Sequence, residues 1–586
     1  MKHLLYLVCA AFSTISFCAF AHQLPLSKNE LNHLNQLDTT EQQRQLQQQQ
    51  AQGEKLQSQA DVRLDTAQQG LVLPAQESVC FPIEKIRLVD YSPEKVASQS
   101  QFHWALAPAL KQLNLHLPHC LGTQGVGILM KQIQNHIIEK GYVTTRVVAG
   151  EQDLRSGHLV LTVIEGKIGN IIVADSSNVP RFTRLQSWMG FTFDSGDVLN
   201  IRDIEQSLEN LKRVPTVEAN IEILPSENGQ AMGVSDLKIT YNQAFPFRFN
   251  FNLDDSGSRA TGKLQGSATL SIDNLFSAND LFYSTFTRSV KSKEDDKGYR
   301  ANQNLSFYYS IPFGYWTFSA SQNHSRYRQE VFGTFNSSYA YSGESKNSKL
   351  TLSYLLYRDA VRKTAISGSF WSRQSKNFID DAEIEVQRRR MAGWEMGISH
   401  KEYFAGATLD LSANFKWGTG ARSALRAPEE AFNEGTSRAQ IINFSASLTK
   451  PFTFYNQPFQ WQSQLNAQWN LTPLIPQDHF SLGGRHTVRG FDGELSLSGE
   501  RGLLWRNELD WNINGKGQQL YFALDYGVVS GISETQLGHY LIGSALGLKG
   551  SWRGFYYDVF VGRPIQKPKG FRTSNTVAGF NVGYSF

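Results

Sequence analysis

From about Phe245 to Phe586 the helical period disappears and apolar residues alternate with polar ones. Phe247, Phe249, Phe251 and Leu253 alternate with Arg248, Asn250, Asn252 and Asp254. Leu520, Phe522, Leu524, Tyr526 and Val528 alternate with Tyr521, Ala523, Asp525, Gly527 and Val529. Phe580, Val582, Tyr584 and Phe586 do the same at the end. A period of two puts one residue set on each face of a sheet. In a soluble sandwich the apolar face would be a core; in a transmembrane barrel it meets lipid while the polar face lines a lumen. Beyond the first residues no stretch approaches the ~20 continuous apolar residues of a membrane helix, and mean hydropathy is -0.36, so a helical membrane protein is excluded. Aromatic residues at 12% and 47 glycines suit aromatic girdles and many turns. About 340 residues, at ~20 per strand and connection, predict an even count near sixteen strands. Closing the sheet removes the unpaired edges that hydrocarbon does not tolerate.

The region before this barrel is organised differently. Residues 1–21 read as a secretory signal, with Lys2, an apolar run and Ala19-Phe20-Ala21 as a cleavage site. Residues 22–52 are dominated by Gln, with Leu31, Leu34 and Leu37 at helical spacing. They are too polar to build a core. They read either as a disordered tail or as a helix resting in a polar cavity, followed by a linker over 53–77. Cys9 and Cys18 leave with the signal, and Cys80 and Cys120 remain. In an exported chain this suggests one disulfide, the alternative being two buried thiols.

Residues 78–165 read as a compact α+β module. A strand is predicted over 79–88 and a helix over 102–115. Val126, Met130, Ile133 and Ile137 mark a second helix ending at Gly141, and strands follow over 144–148 and 159–164. Residues 166–242 repeat the order: strand 168–173, helix 181–189, a helix striped by Ile201, Ile204, Leu208 and Leu211, then strands 217–224 and 234–241. This is an internal repeat at the level of architecture. In the last module Val217, Ala219, Ile221 and Ile223 alternate with Glu218, Asn220 and Glu222. An exposed edge of this kind can take an added strand from another chain.

Enzymatic chemistry finds no support in the motifs. His116, His119 and Cys120 lack further ligands for a metal and read as a loop. The glycines between Gly122 and Gly127 lack the dinucleotide order and read as a helix-opening turn. Gly543–Gly547 lacks the following Lys of a phosphate loop, and Arg388-Arg389-Arg390 reads as a solvated loop or lumen patch. A net charge of +4 over 586 residues implies no nucleic-acid partner. The expectation is a non-enzyme without metal or cofactor.

The constellation that stands out is the loop from Gly483 to Gly493, with glycines at 483, 484, 490 and 493 and arginines at 485 and 489. Such a loop can turn tightly and press on a wall. Strand alternation points Asp525 inward, and a confined Arg is usually paired with a carboxylate. Arg489 with Asp525 is therefore the predicted pair; an exposed turn with a solvated Arg is the alternative.

Val488-Arg489-Gly490-Phe491 resembles the inward-folded loop motif of the superfamily that inserts or translocates proteins at outer membranes. Leu524-Asp525-Tyr526-Gly527 is similar to the strand motif that anchors that Arg, although the family has Phe or Gly two positions before the Asp and this chain has Ala523. The tandem modules resemble polypeptide-transport-associated (POTRA) domains. With a helix before them and a barrel after them, nearly the whole mature chain resembles a two-partner secretion transporter. The segments 141–147 and Cys80…Cys120-Leu121-Gly122 resemble the haemolysin-activator and contact-dependent-inhibition branch. The resemblance implies residues 78–165 as POTRA 1, 166–242 as POTRA 2 and 243–586 as the barrel. It implies a loop–wall contact made by Val488, Arg489, Gly490, Phe491, Asp525 and Gly527. It also implies a helix plugging the lumen and a client docking site on the POTRA modules, for which the strand bearing Val217, Ala219, Asn220, Ile221 and Ile223 is the candidate. The expected partners are outer-membrane lipid and an unfolded exoprotein with an N-terminal secretion domain, a haemolysin, adhesin or contact-dependent toxin, exported without ATP by a monomer. A general barrel insertase, which would carry more periplasmic modules, and a passive porin or receptor, which would need none, are the rival readings.

Overall fold

The computed structural model describes residues 28–56, 61–64, 71–74, 77–92, 98–178, 182–226, 232–332, 338–513, 515, 517–531 and 537–586. The signal sequence expected over 1–21 lies outside them.

The first module is built of β1 (Phe81–Ile83), β2 (Lys85–Asp90), α2 (Leu106–Gln112), β3 (His119–Leu121), α3 (Thr123–Glu139), β4 (Arg146–Val148) and β5 (His158–Ile164), after the N-terminal helix α1 (Lys28–Leu56). Its main sheet has the order β2-β5-β4, with β2 and β5 parallel. The single strand expected over 79–88 is two strands, because β1 pairs with β3 and β2 with β5; the chain changes partner at Glu84. For the same reason His119 and Cys120 do not sit in a loop: they pair in register with Ile83 and Pro82. The helix expected over 102–115 is shorter, a 3-10 turn at His103–Ala105 leading into α2, and Asn114 at φ 51 ends it. The helices cover one face of the sheet, burying Leu129, Ile133 and Ile137 against Ile83, Leu159, Leu161 and Val163.

The second module repeats the plan with β6 (Lys167–Asp175), α4 (Arg184–Gly190), α5 (Ile201–Lys212), β7 (Val217–Pro225) and β8 (Val234–Gln243), in the order β6-β8-β7. Ile204, Leu208 and Leu211 from the α5 stripe lie with Leu237, Ile239 and Tyr241 in its core.

Sixteen antiparallel strands of 8 to 21 residues close into a barrel between Phe247–Asp254 and Val577–Ser585. The seam pairs Asn581 with Asp254 and Ser585 with Asn250. Among the described residues the two-residue strand Ala382–Glu383 pairs only with the rim of its neighbour. Alternation works as the sequence predicts: Tyr521, Ala523 and Asp525 are buried on the lumen side, while Phe522 and Leu524 are exposed on the lipid side. The short turns, such as Ala405-Gly406 and Tyr455-Asn456, lie at the end where the POTRA-like modules sit, and the long loops at the other.

Candidate functional site

The lumen is occupied by α1 and by the loop between Asn470 and Arg501. A helix of 29 residues is about 43 Å long at 1.5 Å per residue, enough to thread a hydrocarbon layer of ~30 Å. Its polarity, which excludes it from a core, fits this wet interior. Leu34 and Leu37 find a small apolar patch beside Tyr327 and Tyr341. The rest of the contact is polar. Tyr327 donates to Asp38 at 2.7 Å, Asn302 to Glu41 at 2.8 Å and Gln43 to the His479 carbonyl at 2.9 Å. Arg44 is bonded both to Glu41, at 2.8 Å, and to the Gly493 carbonyl, at 2.6 Å. The helix thus touches the wall and the inward loop together.

The loop folds back through a ribbon of Phe480–Leu482 with Leu497–Gly499 and presses its tip on the wall. Val488 and Phe491 are buried with Leu504, Val529, Leu541 and Phe571. Arg489 grips Asp525 with two parallel bonds, Nε to Oδ2 and Nη2 to Oδ1, both 2.7 Å, and its backbone amide adds a third at 2.9 Å. Asp525 is fully buried. Bidentate Arg–carboxylate geometry of this kind is directional as well as strong. Gly490 has φ +99 and lies against the Arg563 carbonyl, so a side chain there would be strained and would clash. Gly527 leaves room for Leu482 and Val488; a Cβ would come within 2.7 and 3.0 Å of them. Val488, Arg489, Gly490, Phe491, Asp525 and Gly527 are therefore brought together at one place.

Two partners went unread in the sequence. Glu508, on the neighbouring strand, also bonds Arg489 Nη1. Lys549 then bridges Glu508 at 2.6 Å and Asp510 at 2.8 Å. Arg506, Glu508 and Asp510 recur every second residue, the signal that could have marked a charged inward row. Arg485 bonds Asp255 at 2.6 Å and crosses to the Phe580 carbonyl, tying the same loop to the barrel seam. Of the run at 388–390, Arg389 is buried on Glu429 and Arg388 bonds Glu383, so only part of it is solvated.

At the periplasmic rim the chain leaving α1 is pinned between the second module and the barrel. Val62 and Leu64 donate their amides to Glu209 and Glu205 of α5 at 2.9 and 2.7 Å. Arg358, at the end of its strand, bonds Glu205, Glu209 and the Val62 carbonyl. Lys363 reaches Asp61 at 2.7 Å and also Glu209, and Tyr403 bonds Asp61. Burial pushes the Asp61 carboxyl up, but Lys363 and Tyr403 outweigh it and hold it below the usual range.

β7 is an edge: within the described residues only β8 pairs with it. Ala244 donates to the Thr216 carbonyl, and Val217 turns its amide to Val214. Antiparallel pairs alternate in hydrogen bonding. The phase therefore turns the backbone of Glu218, Asn220 and Glu222 to β8, and that of Ala219, Ile221 and Ile223 to the free edge. Val217 and Ile221 side chains are buried in the module. Cys80 and Cys120 are bonded to each other, joining the start of β1 to β3. Among the described residues no group of three or more His, Cys, Asp or Glu could hold a metal ion.

Comparison with known proteins finds three family profiles along the chain. Residues 81–166 match the POTRA domain of ShlB type, and 167–225 match a POTRA domain. Residues 233–550 match the haemolysin secretion/activation protein family ShlB/FhaC/HecB. The outer membrane transporter CdiB-2 of Burkholderia pseudomallei is 34% identical over 88% of each chain. The hemolysin transporter protein ShlB of Serratia marcescens is 24% identical over 70% of each. The solved structure of CdiB from Acinetobacter baumannii superposes with a TM-score of 0.81 at 29% identity, covering 94% of this chain and 99% of that one.

Proposed function

The chain belongs to the haemolysin secretion/activation family ShlB/FhaC/HecB and is an outer-membrane transporter of two-partner secretion with periplasmic POTRA domains, and from that premise we propose how its parts divide the work. The client is a large exoprotein of the haemolysin, adhesin or contact-dependent-inhibition class, carrying its own N-terminal secretion domain. It reaches the periplasm unfolded and docks by adding a strand to the free edge of β7, where the amides of Ala219, Ile221 and Ile223 are available. The exoprotein then threads the lumen and folds outside, so no ATP is needed. One chain makes one closed pore, and it works as a monomer set in outer-membrane lipid. Its work is transport, and its charged residues hold conformations instead of bonds in reaction.

The observation that carries this reading is the plugged lumen. α1 fills it through side-chain hydrogen bonds to wall and loop, which water or a passing chain can replace one at a time. A plug held by apolar packing would not leave so readily. The Arg489–Asp525 contact keeps the inward loop against the wall while the plug moves, so the barrel does not collapse or leak. The test is co-expression with its cognate exoprotein: client should reach the medium with the intact chain. Client retained in the periplasm despite normal barrel levels would reject the assignment.

A further inference from the structure

We propose that helix α4 of the second POTRA module is itself a membrane-interface anchor, seated in the phospholipid of the periplasmic leaflet. The proposal rests on the outer-membrane placement of the barrel and goes beyond it.

α4 is a short helix with a capping box from Thr183 and Gln186. Its inner side is fixed to the barrel turns by three bonds. Thr183 donates to the Ser277 carbonyl at 3.1 Å, Asn279 to the Gln186 carbonyl at 2.8 Å, and Gly314 to the Met189 carbonyl at 2.9 Å. Gln186 and Gly190 are buried on that side. The outer side carries Arg184, Leu185 and Trp188, all exposed, with Trp188 64% accessible.

A single exposed Trp would need no explanation. This one continues an existing lipid surface. Its ring packs edge-on against Phe313 at 4.9 Å. Phe313 is an outward residue at the periplasmic end of its strand, paired with Trp316, whose ring lies tilted against Tyr354 at 4.5 Å. Phe276, 62% exposed in the next turn, lies against the outward Tyr309. These are the residues of an aromatic girdle, where amphipathic rings sit at headgroup level. Trp188 extends that girdle from the barrel onto the module. Arg184, one residue before Leu185, supplies a cation where lipid phosphates lie. The bilayer then supports the second module alongside the barrel turns and the α5 ion pairs, and fixes the height at which the β7 edge is presented.

The full mature transporter is tested in proteoliposomes of phosphatidylethanolamine and phosphatidylglycerol containing a lipid with a headgroup nitroxide. The native cysteines are bonded to each other, so one introduced thiol carries an NBD fluorophore: Leu185→Cys on α4, Glu222→Cys on β7 as the water-facing reference, or Phe307→Cys on the barrel wall. Quenching at 185 should exceed that at 222 by at least about twofold, as expected for a group at the headgroup boundary. Adding Trp188→Ser should bring it back towards the 222 value. Equal quenching at 185 and 222, with 307 still quenched, would overturn the anchor while leaving membrane insertion and secretion untouched. A 185 signal that ignores the nitroxide and shifts only when exoprotein is added would make this a client face and would also overturn it.

Discussion

Arg489 has two acidic neighbours, and this decides how its loss differs from that of its partner. In Asp525→Ala the guanidinium keeps Glu508. In Arg489→Ala, Asp525 stays fully buried with Arg506 no nearer than 3.8 Å. Removing one member of a buried pair typically costs about 3–5 kcal/mol. Arg489→Ala should therefore cut secretion by at least tenfold, roughly the effect of losing 1.4 kcal/mol or more of loop anchoring, and Asp525→Ala should cut it less. The double variant should be no worse than Arg489→Ala, as for residues sharing one contact. The swap Arg489→Asp with Asp525→Arg should fail, because it sets an Asp against Glu508. Secreted client per unit of assembled barrel is the measurement; full secretion by Arg489→Ala would discard the contact as functional. The cysteines belong to the same scale. The bond closes a span of 40 residues, worth roughly 3–4 kcal/mol in the chain-entropy account. Thiol labelling of unreduced, denatured mature protein should find no free cysteine, and Cys80→Ser should lower the melting temperature of the first module.

At the scale of elements, α1 and β7 make opposite demands. On the proposed mechanism α1 is held weakly enough to leave, and outside the patch at Leu34 and Leu37 its contacts are polar and spread along the helix. Deleting residues 22–50 should raise single-channel conductance in planar bilayers; unchanged conductance would mean that α1 does not obstruct the pore. In the proposed docking, β7 keeps its own sheet and offers its outer edge to the client. The sequence alone nominates Asn220→Pro to break client pairing, but the phase of the β7–β8 ladder turns that amide inward. Asn220→Pro should destabilise the module itself. Ala219→Pro removes a free-edge donor instead, and should weaken client binding several-fold while the module's circular dichroism is unchanged. Normal binding by a folded Ala219→Pro protein would place docking elsewhere.

For the whole molecule, the rim junction is where module, linker and barrel are joined. Arg358 contacts α5, the linker carbonyl at Val62 and, by its own strand, the barrel. In the proposed cycle a docked client loads the second module, and the α5 residues bonded to Arg358 also hold the chain that follows α1. Arg358→Ala should therefore free the linker and increase the frequency of spontaneous channel openings without client, with barrel assembly normal. If openings stay as rare as in the unaltered protein, the plug is held by the lumen alone.

Much of this was legible in the chain. The two-residue alternation after Phe245 fixes which side chains meet lipid, because a strand's geometry is local and has an invariant period. The Ile201, Ile204, Leu208 and Leu211 stripe locates α5 for the same reason. The loop glycines and the inward-pointing Asp525 were enough to nominate the Arg489 contact. What stayed hidden depends on which strands become neighbours. Glu508 reaches Arg489 only because two adjacent strands settle in one register, pairing it with Ala523. β1 and β2 separate because they take different partners, β3 at 36 to 40 residues and β5 at 73 residues along the chain. The Gln-rich segment carries no signal of where it rests, since a polar helix is equally content in water and in a wet lumen. Closure of the barrel created that lumen, and with it the partners Tyr327, Asn302 and Gly493 that give α1 its place.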